Sequence, residues 1–125
     1  MLLKKVGFYK EFDYGDEHGG SLYELISTIP NPDENKIISY LESGAVFLVC
    51  PGFTVDVLSK DDKIITTLAT LTDGIWTWPS DLAYYVKEYH IALDKDFVSH
   101  MRDNGWTINK EAIDFDELER LNLPR

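Results

Sequence analysis

The sequence predicts an α+β fold: an antiparallel meander sheet of four to five strands packed against N-terminal and C-terminal helices. Three observations predict it. Residues 45–78 are a succession of short apolar and β-branched runs separated by turn residues. The segments on either side carry apolar residues at helical spacing behind capping residues. Strands and helices do not alternate as they do in the βαβ units of a parallel nucleotide-binding sheet. With 125 residues, 44% of them hydrophobic and 13% aromatic, the chain has material for one core. Residues 1–125 are therefore read as a single domain, without linker, repeat or low-complexity tract.

Residues 2–12 read as a first strand, with Val6, Phe8 and Phe12 alternating against Gly7, Tyr9 and Glu11. The acidic, glycine-rich residues 13–20 then form an exposed loop. Ser21 and Glu24 have capping-box spacing ahead of a short helix with Leu22, Leu25 and Ile26 on its apolar face. A second helix starts at Asn31-Pro32, buries Ile37, Tyr40 and Leu41, and is ended by Gly44. The meander strands are 45–49, 53–58, 63–71 and 75–78. Asp73-Gly74 suits a two-residue turn with positive φ at both central positions. In the last strand Ile75 and Thr77 face one side, Trp76 and Trp78 the other. Pro79-Ser80 opens a helix carrying Leu82, Tyr85, Val86 and Tyr89, and a second helix runs from Asp94 to Asn104-Gly105. A last short helix begins at Asp114 and is expected to fray toward Pro124-Arg125.

Composition excludes several classes of function. The formal charge of −10 arises from 11 acids against 5 bases in residues 1–62 and 11 against 7 in residues 63–125, so neither half is basic. Such a field repels phosphates, and nucleic acid is not an expected partner; a basic protein is. The plainer alternative is that the charge serves solubility. The longest uninterrupted apolar run, residues 45–50, is far too short to cross a bilayer, and residues 1–12 lack the order of a signal peptide. One cysteine, Cys50, builds no disulfide framework, so a reducing, cytoplasmic location is expected.

Catalytic constellations are missing from the pattern, and a non-enzyme without cofactor or metal is expected. Cys50 ends an apolar strand and reads as a buried, inert thiol. His18, His90 and His100 share no short ligand spacing, and His90 suits a helix C-terminus. Asp13, Asp16 and Glu17 carry oxygen ligands without the spacing of a calcium loop, and read as a solvated loop. Gly19-Gly20 lack the lysine and hydroxyl of a phosphate loop.

Residues 72–86 are the most distinctive stretch, with two tryptophans and two tyrosines within ten residues. Either one tryptophan packs beneath the following helix, which Pro79-Ser80 cap, or one aromatic pair stays at the surface beside Asp73 and Asp81. The segment DGIWTWPSDLAYYVKEYHIAL, followed by FVSHMRDNGW at residues 97–106, resembles small acidic uncharacterised bacterial proteins with a DGxWxWPxxLxYY motif. The likeness extends more loosely to residues 11–14 and 37–44. It implies an immunity-like accessory protein of a toxin system, and it carries over no catalytic residue. The expected function is thus a protein-binding module that neutralises a basic cognate toxin, such as a nuclease. Asp13, Asp16, Glu17, Asp73, Trp76 and Asp81 are its candidate contact residues. The alternative is a small-molecule pocket between sheet and helix, lined by Trp76, Trp78, Tyr84 and Tyr85. Oligomeric state is left open.

Overall fold

Residues 44–55 contain no charge, and in the computed structural model, which describes residues 2–123, most of them form one long strand. This strand, β2 (Ala45–Val55), replaces the two strands expected from Pro51-Gly52. The dipeptide makes a bulge instead of a turn: Val49 pairs with Ala69 and Phe53 with Thr67, so β2 spends two extra residues where β3 (Ile64–Thr72) spends none. Proline is tolerated because β2 lies at the sheet edge, where a missing backbone donor breaks no ladder.

The sheet order is β1-β4-β3-β2, with β1 at Lys4–Lys5 and β4 at Trp76–Pro79. The β2-β3-β4 part is the antiparallel meander that was expected. β1, in contrast, is parallel to β4, which makes the sheet mixed. Lys4 N–H donates to Ile75 O and Val6 N–H to Thr77 O, after which the chain leaves the sheet at Gly7, whose φ is 84°. The first strand is therefore two residues long, and its alternation fails beyond Val6: Tyr9 and Phe12 are buried while Phe8 is only half-buried.

The described residues also form four α-helices: α1 (Glu34–Glu42), α2 (Leu82–Tyr89), α3 (Lys95–Asp103) and α4 (Phe115–Asn122). Two 3-10 turns, Leu22–Glu24 and Lys110–Ala112, link them to the rest. The caps of α3 and α4 follow the pattern in the sequence, since Asp94 accepts from Asp96 N–H and Asp114 from Glu117 N–H. Elsewhere the capping side chains are diverted. Ser21 donates its hydroxyl to Glu11, so its segment is a single turn; Asn31 accepts from Asp33 N–H in an Asx turn before α1. Ser80 bonds Thr67 O and Ala69 N–H, which extends the sheet and delays α2 by two residues. Pro124 and Arg125 lie outside the described residues.

The core is aromatic. Phe97 of α3 lies 4.9 Å from Trp76 and 5.4 Å from Trp78, and Tyr40 of α1 closes the cluster at 6.1 Å from Trp78. Trp78 Nε1 donates to Leu41 O at 3.1 Å, which ties β4 to the end of α1. Gly44 does not terminate that helix with a left-handed φ. Its role is close approach, because a Cβ there would lie 2.6 Å from Trp78 Cζ2 and 2.9 Å from Leu71 Cβ. Gly44→Ala is thus expected to cost about 1–3 kcal/mol of unfolding free energy, read by urea denaturation. An unchanged midpoint would mean that the indole has room to move.

Candidate functional site

Residues 8–20 are a compact loop. Tyr9 and Phe12 anchor it in the core, and the backbone bonds Phe12 N–H to Tyr9 O, Gly15 N–H to Phe12 O and Asp16 N–H to Phe8 O wind it into consecutive turns. Only glycine fits at position 15, where a Cβ would meet the Tyr9 carbonyl oxygen. Glu11 fastens the far end: its carboxylate accepts from Leu22 N–H (2.6 Å) and the Ser21 hydroxyl (2.8 Å). Burial works against its charge, yet these donors together prevail and hold its pKa below the usual carboxylate range.

Across from this loop stands the bulged end of β2. Glu11, Asp13 and Tyr14 on one side and Phe53, Val55 and Leu68 on the other line a groove of about 340 Å³. Asp13, Asp16 and Glu17 are all exposed. Among the described residues, neither Asp13 nor Asp16 has a cationic side chain within ion-pair distance, while Glu17 faces His18 at 3.4 Å. Phe53 is 66% exposed and Val49 73% exposed, and Val46, Leu48, Val55 and Ile64 extend the apolar strip along β2 and the start of β3. Among the described residues, the backbone edge of β2 has no strand neighbour on its outer side.

Beneath the loop lies a buried acid. Asp81, at 0% exposure, accepts a short hydrogen bond from the Tyr14 hydroxyl, and among the described residues its Oδ1 has no hydrogen-bond partner. Burial raises its pKa to about 6, and the Tyr14 bond only partly offsets that rise. The same burial, reinforced by the neighbouring carboxylate, pushes the Tyr14 phenol upward.

Three of the six candidate contact residues are therefore interior. Trp76 is 6% exposed, packed on Phe97. Asp81 is sealed, and the Asp73 side chain is 2% exposed. Asp73 organises the hairpin instead: Oδ1 accepts from Ile75 and Trp76 N–H, while Oδ2 takes the Tyr40 hydroxyl at 2.5 Å and faces His100 Nε2 at 3.0 Å. Burial, and then Asp73, raise the pKa of Tyr40. The turn also falls one residue later than expected, with positive φ on Gly74 and not on Asp73. Asp13, Asp16 and Glu17 remain together on the loop, away from this hairpin.

The aromatic pocket does not form either. Trp76 and Trp78 fill the core against Phe97, and the two tyrosines are engaged elsewhere. Tyr84 and Tyr89 donate to Asp56 Oδ2 at 2.8 and 2.6 Å, and Tyr85 donates to Val55 O while accepting from Val57 N–H. Burial and the Asp56 bond lift the Tyr84 phenol to about 12. The three tyrosines of α2 thus clamp the β2–β3 hairpin.

No family model, curated protein or solved structure matches this chain.

The site therefore rests on its own geometry. Among the described residues, no helix is long and apolar enough to cross a membrane, and no group of three or more His, Cys, Asp or Glu could hold a metal ion. Cys50 is half-buried, not sealed, at the bulge of β2. The exposed apolar residues missing from the sequence reading are Phe53, Val55 and Val49. Their signal was Pro51, since a proline inside an apolar run marks an edge strand with an open side.

Proposed function

We propose that this protein is a protein-binding module whose contact face is the acidic loop 11–17 together with the exposed end of β2. One observation carries the reading: carboxylates and an exposed phenyl ring line the same groove, with Asp13 on one wall and Phe53 on the other. An aromatic anchor beside charged groups is the composition of a binding hot spot, and a strip of uncovered valines around it supplies apolar area. The surrounding charge of −10 selects a basic partner and speeds its approach. In its most specific form the partner is a cognate toxin, such as a nuclease with a basic active-site surface, and the module is its immunity protein. Its bulged, outward strand then meets the toxin while the loop acids face the toxin's cationic groups.

Variants separate the two halves of this face. The protein is tagged and used to capture a basic partner from the extract of its source cell. Phe53→Ser is expected to weaken that complex about 30-fold, the loss of about 2 kcal/mol typical of a hot-spot ring, with no loss of stability because the ring is exposed. Lys in place of Asp13, Asp16 and Glu17 together slows association and flattens its salt dependence. Undiminished affinity in both variants would remove this face from the interface.

A further inference from the structure

A cavity of about 510 Å³ lies elsewhere in the fold and shares no lining residue with the groove. It opens between α3 and the 27–31 segment, over a floor that includes Ile37, Val86 and Ile91. Its size falls within the range of small-molecule sites.

Its polar groups have an unusual sign for this chain. Lys95, Ser99 and Arg102 sit at positions i, i+4 and i+7 of α3, so one helix face brings a lysine, a serine and an arginine to the lining of the same cavity. Arg102 is held in place by Asp33 at 3.5 Å and by Trp106, whose ring centre lies 5.7 Å from the guanidinium carbon. Lys95 has no carboxylate within ion-pair distance among the described residues. In the wall, His90 Nδ1 lies 2.6 Å from Glu34 Oε1, a contact that holds this carboxylate against the imidazole.

His90 caps α2 in the left-handed region with φ 51°, a conformation that favours glycine and strains a residue with a Cβ. Holding an imidazole there places the ring against Glu34 at the cavity wall, where glycine would leave the carboxylate unpaired.

We propose that this cavity binds a small organic anion with an apolar body, such as an aryl or alkyl carboxylate or sulfonate. The apolar part lies on the isoleucine and valine floor, and the anionic group meets Lys95 and Arg102 along α3. The binding is independent of the protein-binding face, since the two share no side chain.

Anilinonaphthalene sulfonate, which has this chemistry and fluoresces on entering an apolar site, is the probe. Saturable binding at one site per chain is expected. Lys95→Glu and Arg102→Glu, both at exposed positions, should each raise the dissociation constant about tenfold. Val98→Trp, which fills the cavity, should abolish the signal in a variant whose melting transition shows it folded. Phe53→Ser should leave binding unchanged, because the dye is not reading the β2 strip. Absence of saturable binding, wild-type affinity in both charge variants, or loss of binding in Phe53→Ser would each overturn the proposal.

Discussion

Trp78→Ala is expected to lower the unfolding free energy by about 3–5 kcal/mol, the range for removing a large aromatic side chain from a packed interior. The indole is fully buried and touches both Phe97 and Tyr40, so truncation opens a void between β4, α1 and α3 at once. It also leaves the Leu41 carbonyl without the donor that Nε1 supplies. Trp78→Phe keeps most of the volume and loses the donor, so it should cost less, about 1–2 kcal/mol. Against a total stability of about 5–15 kcal/mol for a domain of this kind, the alanine variant loses a large share. Urea unfolding followed by circular dichroism measures both. A loss below about 1 kcal/mol for alanine would mean that the cluster collapses around the gap, contrary to close packing.

The second large effect depends on pH and belongs to Asp81. Its folded-state pKa, about 6, lies above the ordinary value of 3.8 that the solvated carboxyl has in the unfolded chain. The folded protein therefore holds this proton more tightly than the unfolded one does. The stability contributed by this group is fully present below pH 3.8 and is lost as pH rises through about 6. The shift corresponds to about 3 kcal/mol, and the group is deeply buried, so solvent screening removes little of it. Asp81→Asn stays neutral at every pH and keeps an oxygen for the Tyr14 hydroxyl. It should be more stable than wild type at pH 8, by up to about 3 kcal/mol, with the difference closing near pH 4. Tyr14→Phe should do the reverse at pH 8, since the ionised carboxylate then loses its donor. Stability curves for wild type and Asp81→Asn that run parallel from pH 4 to 8 would contradict a buried, proton-seeking carboxylate.

What was legible in the sequence was local. Asp94 and Asp114 cap helices because the bond from a cap to the next turn depends on residues two or three positions away. The meander from β2 to β4 follows from alternating apolar runs and from glycine at its last turn. Failures arose where a side chain found a distant partner. Ser21 could have capped a helix, but Glu11, ten residues earlier, takes its hydroxyl. Trp76 and Asp81 were candidate contact residues on one of two open readings of their segment, whereas Phe97 covers one and Tyr14 the other.

The proposed binding face was half legible for the same reason. Asp13, Asp16 and Glu17 sit among glycines, and a glycine-rich acidic loop is exposed in almost any fold. The β2 strip was hidden by its own composition, because an uncharged apolar run is the usual mark of a central strand. Its position at the edge depends on β1, which joins the sheet beside β4 and leaves the outer side of β2 open. A parallel pairing across more than 70 residues leaves no local trace in the sequence.

Hydrogen–deuterium exchange of the protein alone and in complex with its captured basic partner tests the binding face most directly. Slowed exchange is predicted in the segments 11–17 and 46–57, with little change in α3 and α4. Protection confined to other segments, with 46–57 exchanging as in the free protein, would contradict the assignment of this face.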